Sequence, residues 1–226
     1  MTTLDYSVFH SVFFPFESEQ ENQKTQDLVL RRAIRFRMDA QASFRKYPLV
    51  VFDFETTGLD ANHDHIIEIG AQKFVNFEVV DEFSTLLATK IPLSEMVQRL
   101  TGITPEMLVG MPELNEAMPR FLNFIDGSLL VAHNASFDMA FLRAECLRQG
   151  IELEWPAFCT LKMAREFLTQ LERKGLDALA KHYGLTFEAR HRSIGDVKVT
   201  SSVLKELLAN EGAHLQTWVD LSLFQV

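Results

Sequence analysis

The chain has 226 residues, of which 47% are hydrophobic, and this size and composition predict one substantial core in a single domain with extensions. The formal net charge is −9, and from residue 49 onward 25 acidic residues face 15 basic ones, which excludes a domain that holds long nucleic acids by general electrostatic attraction. No basic segment followed by an apolar run opens the chain and no stretch is long enough to span a membrane, so we expect a cytoplasmic protein with no membrane partner.

The first 48 residues are interpreted as an extension that precedes the main domain. From about Lys24 to Phe44 apolar residues recur four positions apart with arginines between them, which predicts a basic amphipathic helix. Such a helix either contacts nucleic acid or packs on the domain with its arginines in solvent. Pro48 disfavours helix at the preceding residue and marks the domain boundary.

The stretch from Leu49 to Leu59 reads LVVFDFETTGL and begins as a buried strand, because its first residues are β-branched or aromatic. Two carboxylates interrupt this strand, and they belong to Asp53 and Glu55. Side chains two residues apart in a strand point to the same face. Burying two anions together is costly unless a cation compensates, so the pair indicates a divalent metal ion. A solvated strand edge that happens to carry acids is the alternative.

The rest of residues 49–210 predicts an α/β domain in which strands and helices alternate. After the first strand, residues 66–75 and 77–87 are expected to complete an antiparallel meander of three strands. A fourth strand is expected at residues 128–132. Helices are predicted at about residues 92–100, from Thr104 onward, and at 112–125, 135–149, 160–171, 176–183 and 193–208.

Two of these helices begin with an acid, since Asp138 and Asp196 fall in their first turns, where the helix dipole favours a carboxylate. Together with Asp53 and Glu55 they supply four carboxylates, a set that suits two hard cations such as Mg²⁺ or Mn²⁺. A two-metal site of this kind clamps the attacking and leaving oxygens of a phosphoryl displacement. His191 lies shortly before Asp196, so we expect its imidazole beside the metals as the general base for an attacking water.

Three segments resemble, in order, the three exonuclease motifs of the DnaQ-like DEDDh family. They are FDFETTG at residues 52–58, HNASFD at 133–138 and HRSIGD at 191–196. The resemblance covers about residues 49–210 and implies a ribonuclease H-like fold, with a five-stranded mixed sheet flanked by helices. It further implies two-metal hydrolysis of nucleic acid from the 3′ end, which releases nucleoside monophosphates. The residues that match the metal-binding acids and the general base are Asp53, Glu55, Asp138, Asp196 and His191.

The same resemblance implies a set of substrate contacts. One segment would bring its backbone close to the terminal nucleotide, a second would pack on the terminal base or sugar, and a third lies in the second motif. The matching residues are, in that order, Thr56, Thr57 and Gly58, then Leu100 and Thr101, then Asn134 and Phe137. Thr101 is a departure, because proofreading members often have histidine at this position.

Within the family, the chain is most similar to the epsilon-like proofreading subunits and exonuclease domains of bacterial replicative DNA polymerases. The acidic composition favours short single-stranded DNA 3′ ends, whose few phosphates would meet metals rather than a basic groove. We therefore expect a 3′–5′ exonuclease of proofreading or repair, with a DNA polymerase as a candidate partner. The alternatives are an RNA-trimming exoribonuclease with the same active site and a non-catalytic adaptor tethered to a sliding clamp.

Residues 211–226 are interpreted as a C-terminal tail. Residues 220–224 read DLSLF and resemble the bacterial sliding-clamp-binding motif usually written QLSLF, with only the leading Gln replaced. On that hypothesis Leu221, Leu223 and Phe224 contact the clamp, and the last two enter an apolar pocket. The alternative is that the tail covers the core of its own domain.

Overall fold

The computed structural model describes residues 32–36, 39 and 41–226. Its strands are β1 (Arg32–Arg35), β2 (Leu49–Thr56), β3 (Ile66–Val75), β4 (Glu78–Leu86), β5 (Leu129–Ala132), β6 (Ile151–Glu154) and β7 (Ala157–Cys159). Its helices are α1 (Glu95–Thr101), α2 (Pro105–Leu108), α3 (Leu114–Ile125), α4 (Ser136–Arg148), α5 (Thr160–Phe167), α6 (Leu176–Tyr183), α7 (Ser193–Ala209) and α8 (Trp218–Leu221). Short 3₁₀ turns lie at Phe44–Lys46 and Ser222–Phe224. Among these residues no helix is both long and apolar enough to cross a bilayer.

Strand β2 is the centre of a five-stranded sheet with the order β4-β3-β2-β5-β7. β2 and β3 pair antiparallel, as do β3 and β4, which confirms the predicted meander. β5 and β7 continue the sheet on the other side of β2 with parallel pairing. The mixed five-stranded sheet is thus confirmed, and β2 is held by neighbours on both sides.

Alternate side chains of β2 pack into two separate cores, one on each face of the sheet. Val50 and Phe52 face α3 and α4, where the ring of Phe121 lies 6.2 Å from that of Phe52. Leu49 and Val51 face α5, α6 and α7 on the opposite side. Since side-chain direction repeats every two residues, the carboxylates at positions 53 and 55 lie on the α7 face.

The helices predicted within residues 49–210 are present, and local signals explain some of their ends. α6 has the predicted bounds, and it stops at Gly184, which adopts a left-handed conformation with φ 68°. The helix predicted at residues 92–100 begins at Glu95 because Ser94 caps it, its hydroxyl accepting the Val97 N–H at 3.2 Å. α5 ends at Phe167, four residues earlier than predicted.

The helix predicted from about Lys24 to Phe44 is wrong where the structure describes it, because residues 32–35 form β1. β1 pairs in parallel with β6, a strand that the sequence analysis did not predict, as it also missed β7. Ile34 and Phe36 face the core while Ala33 and Arg35 face solvent, so the apolar period here is two residues. Phe36 stacks on Trp155 at 5.1 Å between ring centroids. Residues 24–31 of the predicted helix lie outside the described residues.

The C-terminal tail covers the chain's own core, the second of the two alternatives. Leu221 and Phe224 are 4% and 3% exposed and belong to the core beneath α7, whereas Leu223 is 77% exposed. Thr217 and Asp220 form a capping box that starts α8. The chain then runs along the sheet edge, where the Val226 N–H donates to the Ala157 carbonyl at 2.9 Å. The extended, free segment needed for clamp binding is therefore absent from the described residues.

Replacing Phe224 with Ala should lower the free energy of unfolding by about 3–5 kcal/mol, because a fully packed aromatic ring is lost from the core. Leu223→Ala is the matched control, since its exposed side chain should change stability by less than about 0.5 kcal/mol. Urea unfolding followed by circular dichroism measures both. Equal stability of the two variants would show that the tail is not part of the core.

Candidate metal centre and active site

Three carboxylates meet at the end of the central strand. Asp53 and Glu55 project from β2, and Asp196 projects from the first turn of α7, so that one oxygen of each lies within 4.8 Å of the others. Asp196 is buried, and the two β2 acids are partly buried. The structure thus brings together three of the four acids that the sequence analysis predicted as metal ligands.

The fourth predicted acid, Asp138, lies beside this three-carboxylate group and is not a member of it. It is buried in the first turn of α4, and its Oδ1 accepts the backbone N–H of Phe54 at 3.1 Å. β5 pairs with β2 only as far as Val51, which leaves the Phe54 N–H without a strand partner. Asp138 therefore accepts an N–H that lies beyond the end of the parallel strand. Its charge raises the pKa of the neighbouring Asp53.

The position of Asp196 depends on how closely α7 approaches the sheet. A Cβ at Gly70 in β3 would lie 2.6 Å from the backbone nitrogen of Ile194, so only glycine permits this contact. Glu68, almost fully buried in β3, accepts the Ser193 N–H at 2.9 Å and a fork from Arg192 at 2.6–3.2 Å. This anchor for the N-terminus of α7 was not found from the sequence, since Glu68 and Arg192 are 124 positions apart.

The environment of the acids favours their protonated forms when no cation is present. Burial first, then the charges of Asp138, Glu55 and Asp196, raise the pKa of Asp53 well above its usual value. Burial and then Asp196 raise the pKa of Glu55 to about 8. Burial raises the pKa of Asp138 to about 7 and that of Asp196 to about 6. At neutral pH the group therefore retains protons that a bound cation would replace.

These acids fit a divalent metal ion. Carboxylate oxygens are the ligands preferred by hard cations, and the oxygens of three acids converge within 4.8 Å. Mutual repulsion and burial both make the group unfavourable without positive charge, as the raised pKa values indicate. Asp53, Glu55 and Asp196 are the residues that would hold the ion.

His191 lies in the segment that leads into α7. Its backbone has φ 59°, an uncommon conformation for a residue with a side chain, and its N–H donates to Asp196 Oδ1 at 3.4 Å. Its side chain is partly exposed. Burial and then the positive charge of Arg190 lower the pKa of His191 below its usual value. The imidazole is therefore neutral at pH 7 and able to accept a proton.

Arg190, which no sequence motif singles out, contacts the acid group directly. Its guanidinium forms ion pairs with Asp196 and with Asp177, and the latter begins α6. Its place immediately before His191 was the only available signal, because the sequence does not reveal that Asp177 lies nearby. Arg190 brings a positive charge to a site that otherwise consists of acids and a neutral histidine.

The loop that follows β2, residues 57–65, is held together by hydrogen bonds between its two ends. Thr56 and Thr57 are buried, and Thr57 donates its hydroxyl to Asp64 Oδ1 at 2.9 Å. A Cβ at Gly58 would collide with the Asp64 carboxylate, so glycine is required for this packing. Thr56 donates its hydroxyl to the Gly58 carbonyl, so both threonine side chains are hydrogen-bonded within the loop.

The other predicted substrate contacts differ in exposure. Leu100 is exposed at the end of α1, whereas Thr101 is buried, its hydroxyl donating to the Val97 carbonyl at 2.9 Å. Asn134 is exposed with φ 61°, and Phe137 is partly buried against the ring of Phe141. Leu100 and Asn134 are therefore accessible to a ligand, whereas the buried Thr101 hydroxyl is hydrogen-bonded within its own helix.

Comparison with known families matches residues 50–204 to the model of the exonuclease family RNase_T. The chain is 41% identical over 156 residues to the PolC-type DNA polymerase III of Clostridium perfringens, an alignment that covers 69% of this chain and 11% of the relative. Seven further PolC-type relatives are covered to 11–12% of their length. The chain thus spans only about a tenth of these curated relatives.

Solved structures of exonucleases share the fold. Exonuclease X, in complex with 5′-overhanging duplex DNA, is 26% identical with a TM-score of 0.61, covering 76% of this chain and 99% of that one. E. coli exonuclease I, in complex with a dT13 oligonucleotide, is 15% identical with a TM-score of 0.64, covering 75% of this chain and 42% of that one. The second likeness concerns the fold alone. Together they confirm the predicted ribonuclease H-like fold.

The raised pKa values of the acids predict how the stability of the metal-free protein depends on pH. The folded pKa values of Glu55, Asp138 and Asp196 lie above their unfolded values, so the folded state holds protons that the unfolded chain has lost. This contribution is fully present below about pH 4 and is lost as the pH rises to about 8. Melting in EDTA should therefore shift to lower temperature across this range.

The matched control for this prediction is Glu55→Gln, which has no carboxyl group to titrate and should show a shallower fall. Saturating Mn²⁺ should raise the melting temperature most at the upper end of the range, where the acids are ionised. A melting temperature that rises between pH 4 and 8 in EDTA, or an unchanged slope in Glu55→Gln, would contradict the assignment.

Proposed function

The chain belongs to the RNase_T exonuclease family, whose model spans residues 50–204, and from this membership we propose that it hydrolyses DNA from the 3′ end to nucleoside monophosphates. The observation that carries the proposal is the group formed by Asp53, Glu55 and Asp196, with His191 on the adjoining segment. Proofreading or repair is the proposed role, and the cytoplasm the proposed location, because the curated relatives of the chain are DNA polymerases by name.

Two divalent ions, Mg²⁺ or Mn²⁺, are the proposed cofactors. When bound, they would supply the positive charge that stabilises the attacking and leaving oxygens of a phosphoryl displacement. Asp53, Glu55 and Asp196 would hold one of them. Asp138 adds a fourth carboxylate next to Asp53 and supports the assignment of a second ion on that side.

His191 is proposed as the general base. A neutral imidazole accepts the proton of the attacking water, and the lowered pKa of His191, caused by burial and then by Arg190, keeps the ring neutral. The bond from its backbone N–H to Asp196 fixes its position relative to the acids. Glu68 contributes indirectly, because it anchors the start of α7 and with it Asp196.

The 3′ nucleotide is proposed to lie against the backbone of residues 56–58 and to contact the exposed side chains of Leu100 and Asn134. Phe137 would border this place, and Thr101 would act by shaping the end of α1. Residues 49–226 carry ten more acidic than basic residues, which supports short single-stranded ends as the substrate. RNA ends of the same length are the alternative substrate.

A DNA polymerase is the proposed protein partner, since the PolC-type relatives combine a matching region with a much longer chain. A sliding clamp has less support, because Leu221 and Phe224 would have to leave the core to reach it. Unpacking these side chains costs free energy that the clamp contact would have to recover. A non-catalytic adaptor also has less support, because an adaptor has no need for a group of acids that repel one another.

Release of nucleoside monophosphates from end-labelled single-stranded DNA with Mg²⁺ or Mn²⁺ tests the activity. Asp53→Ala should abolish it, and His191→Ala should lower the rate by about 10² to 10⁴-fold because proton transfer is lost. His182→Ala is the control, since this exposed histidine of α6 should leave the rate unchanged. Full activity in His191→Ala would refute the role of the base, and no release with either metal would refute the function.

The substrate class is tested by matched DNA and RNA oligonucleotides of one sequence in the same assay. We expect faster release from DNA, as the relatives are DNA polymerases by name. In a sequence without thymine or uracil the 2′-hydroxyl is the only group that differs along the strand, so a preference reports directly on the contacts to the sugar. Faster release from RNA would replace the DNA assignment with that of an exoribonuclease.

A further inference from the structure

Arg190 is the charged residue of the site whose role the proposed function leaves open. Its partly buried side chain lies between two carboxylates from different helices. Nε and Nη2 donate to the two oxygens of Asp177 at 2.7 and 3.1 Å, and Nη1 donates to Asp196. One guanidinium therefore joins the first turn of α6 to the first turn of α7.

The two partners of Arg190 differ in exposure and in the number of bonds they accept. The Asp196 side chain is 7% exposed and belongs to the three-carboxylate group, whereas that of Asp177 is 70% exposed and lies outside this group. A two-bond fork holds a guanidinium with more specificity than one bond. Arg190 can therefore release Asp196 and still keep a charged partner at the surface.

Arg190 is also the positive charge that acts on the pKa values of the three acids. Burial raises the pKa values of Asp53, Glu55 and Asp196, and the charge of Arg190 opposes the rise at all three. A divalent ion held by these carboxylates would lie near the guanidinium, and two positive charges repel strongly at short range in a partly buried site. The metal ion and Arg190 thus compete for Asp196.

We propose that Arg190 is the resident counter-ion of the metal-free site and that a divalent metal ion displaces it from Asp196, leaving it on Asp177. This inference rests on the proposed metal-dependent function. While no metal is bound, Arg190 stabilises the acids against their mutual repulsion. On this proposal metal binding breaks the pair with Asp196, so Arg190 also sets the affinity of the site for its ion. Asp177 acts as a positioning residue that retains the displaced guanidinium.

The test is the affinity for Mn²⁺, measured by isothermal titration calorimetry on the full chain without nucleic acid. Arg190→Gln should bind Mn²⁺ at least about tenfold more tightly, because the competing charge is gone. Asp177→Asn should bind it several-fold more weakly, because the displaced guanidinium loses its partner. Lys198→Gln is the matched control, since it removes a positive charge of α7 that pairs with Glu188 and should leave the affinity unchanged.

Melting temperatures in EDTA and in saturating Mn²⁺ give a second measurement. Arg190→Gln should melt below the unsubstituted protein in EDTA and at the same temperature in Mn²⁺, because the displaced arginine no longer supports the acids. An arginine that merely braces α6 against α7 would lower melting under both conditions. That result, or Mn²⁺ affinity in Arg190→Gln equal to or weaker than that of the unsubstituted protein, overturns the proposal.

The calorimetry also separates this inference from the proposed function. If the unsubstituted protein binds no Mn²⁺, both the metal-dependent function and the role of Arg190 fall. If it binds Mn²⁺ and Arg190→Gln does so no more tightly, only the role of Arg190 falls. Should Arg190→Gln fail to fold, Asp177→Asn at the exposed position decides, because tighter Mn²⁺ binding in that variant contradicts the exchange.

Discussion

Carboxylates that share one partly buried volume repel one another and lose hydration, and the site at the end of β2 exists only because the fold offsets this cost. Burial, the first cause, and the neighbouring charges raise the pKa values of Asp53, Glu55, Asp138 and Asp196 above their usual range. Three kinds of compensation are available to the group: protons, a guanidinium and metal ions. Of these the guanidinium alone is part of the chain, and metal ions are the kind that would connect the site to phosphoryl transfer.

The scaffold holds the acids in place by contacts that come from outside the site. β2 is paired on both sides at its start, which fixes its backbone, and its last residues extend beyond β5. That overhang leaves the Phe54 N–H free for Asp138, so the end of the strand holds this carboxylate beside the acid group. On the opposite face, Gly70 and Glu68 of β3 receive the start of α7 and so define where Asp196 lies. One sheet thus aligns elements that the chain sequence separates widely.

The two ends of the described chain illustrate how context overrides local pattern. The arginine-rich stretch around Ile34 has apolar residues at a spacing that fits a helix, yet Ile34 and Phe36 also alternate, and pairing with β6 selects the strand. The DLSLF tail has the composition of a free peptide motif, but Leu221 and Phe224 find their apolar contacts in this chain. In both cases the same side chains satisfy two interpretations, and burial decides between them.

Local chemistry allowed the sequence by itself to predict the α/β order of elements within residues 49–210 apart from β6 and β7, to nominate the four acids with His191, and to identify the family. These signals depend on residues that are close in sequence: the periods of strands and helices, the acids at helix starts and the glycines at helix ends. They can therefore be recognised without knowledge of the fold. Only the tertiary structure decided that three acids converge while Asp138 lies beside them, that Thr101 is buried, and that Arg190 bridges Asp177 and Asp196. These facts depend on distances between residues far apart in the chain, and a distance in space is what a sequence pattern does not contain.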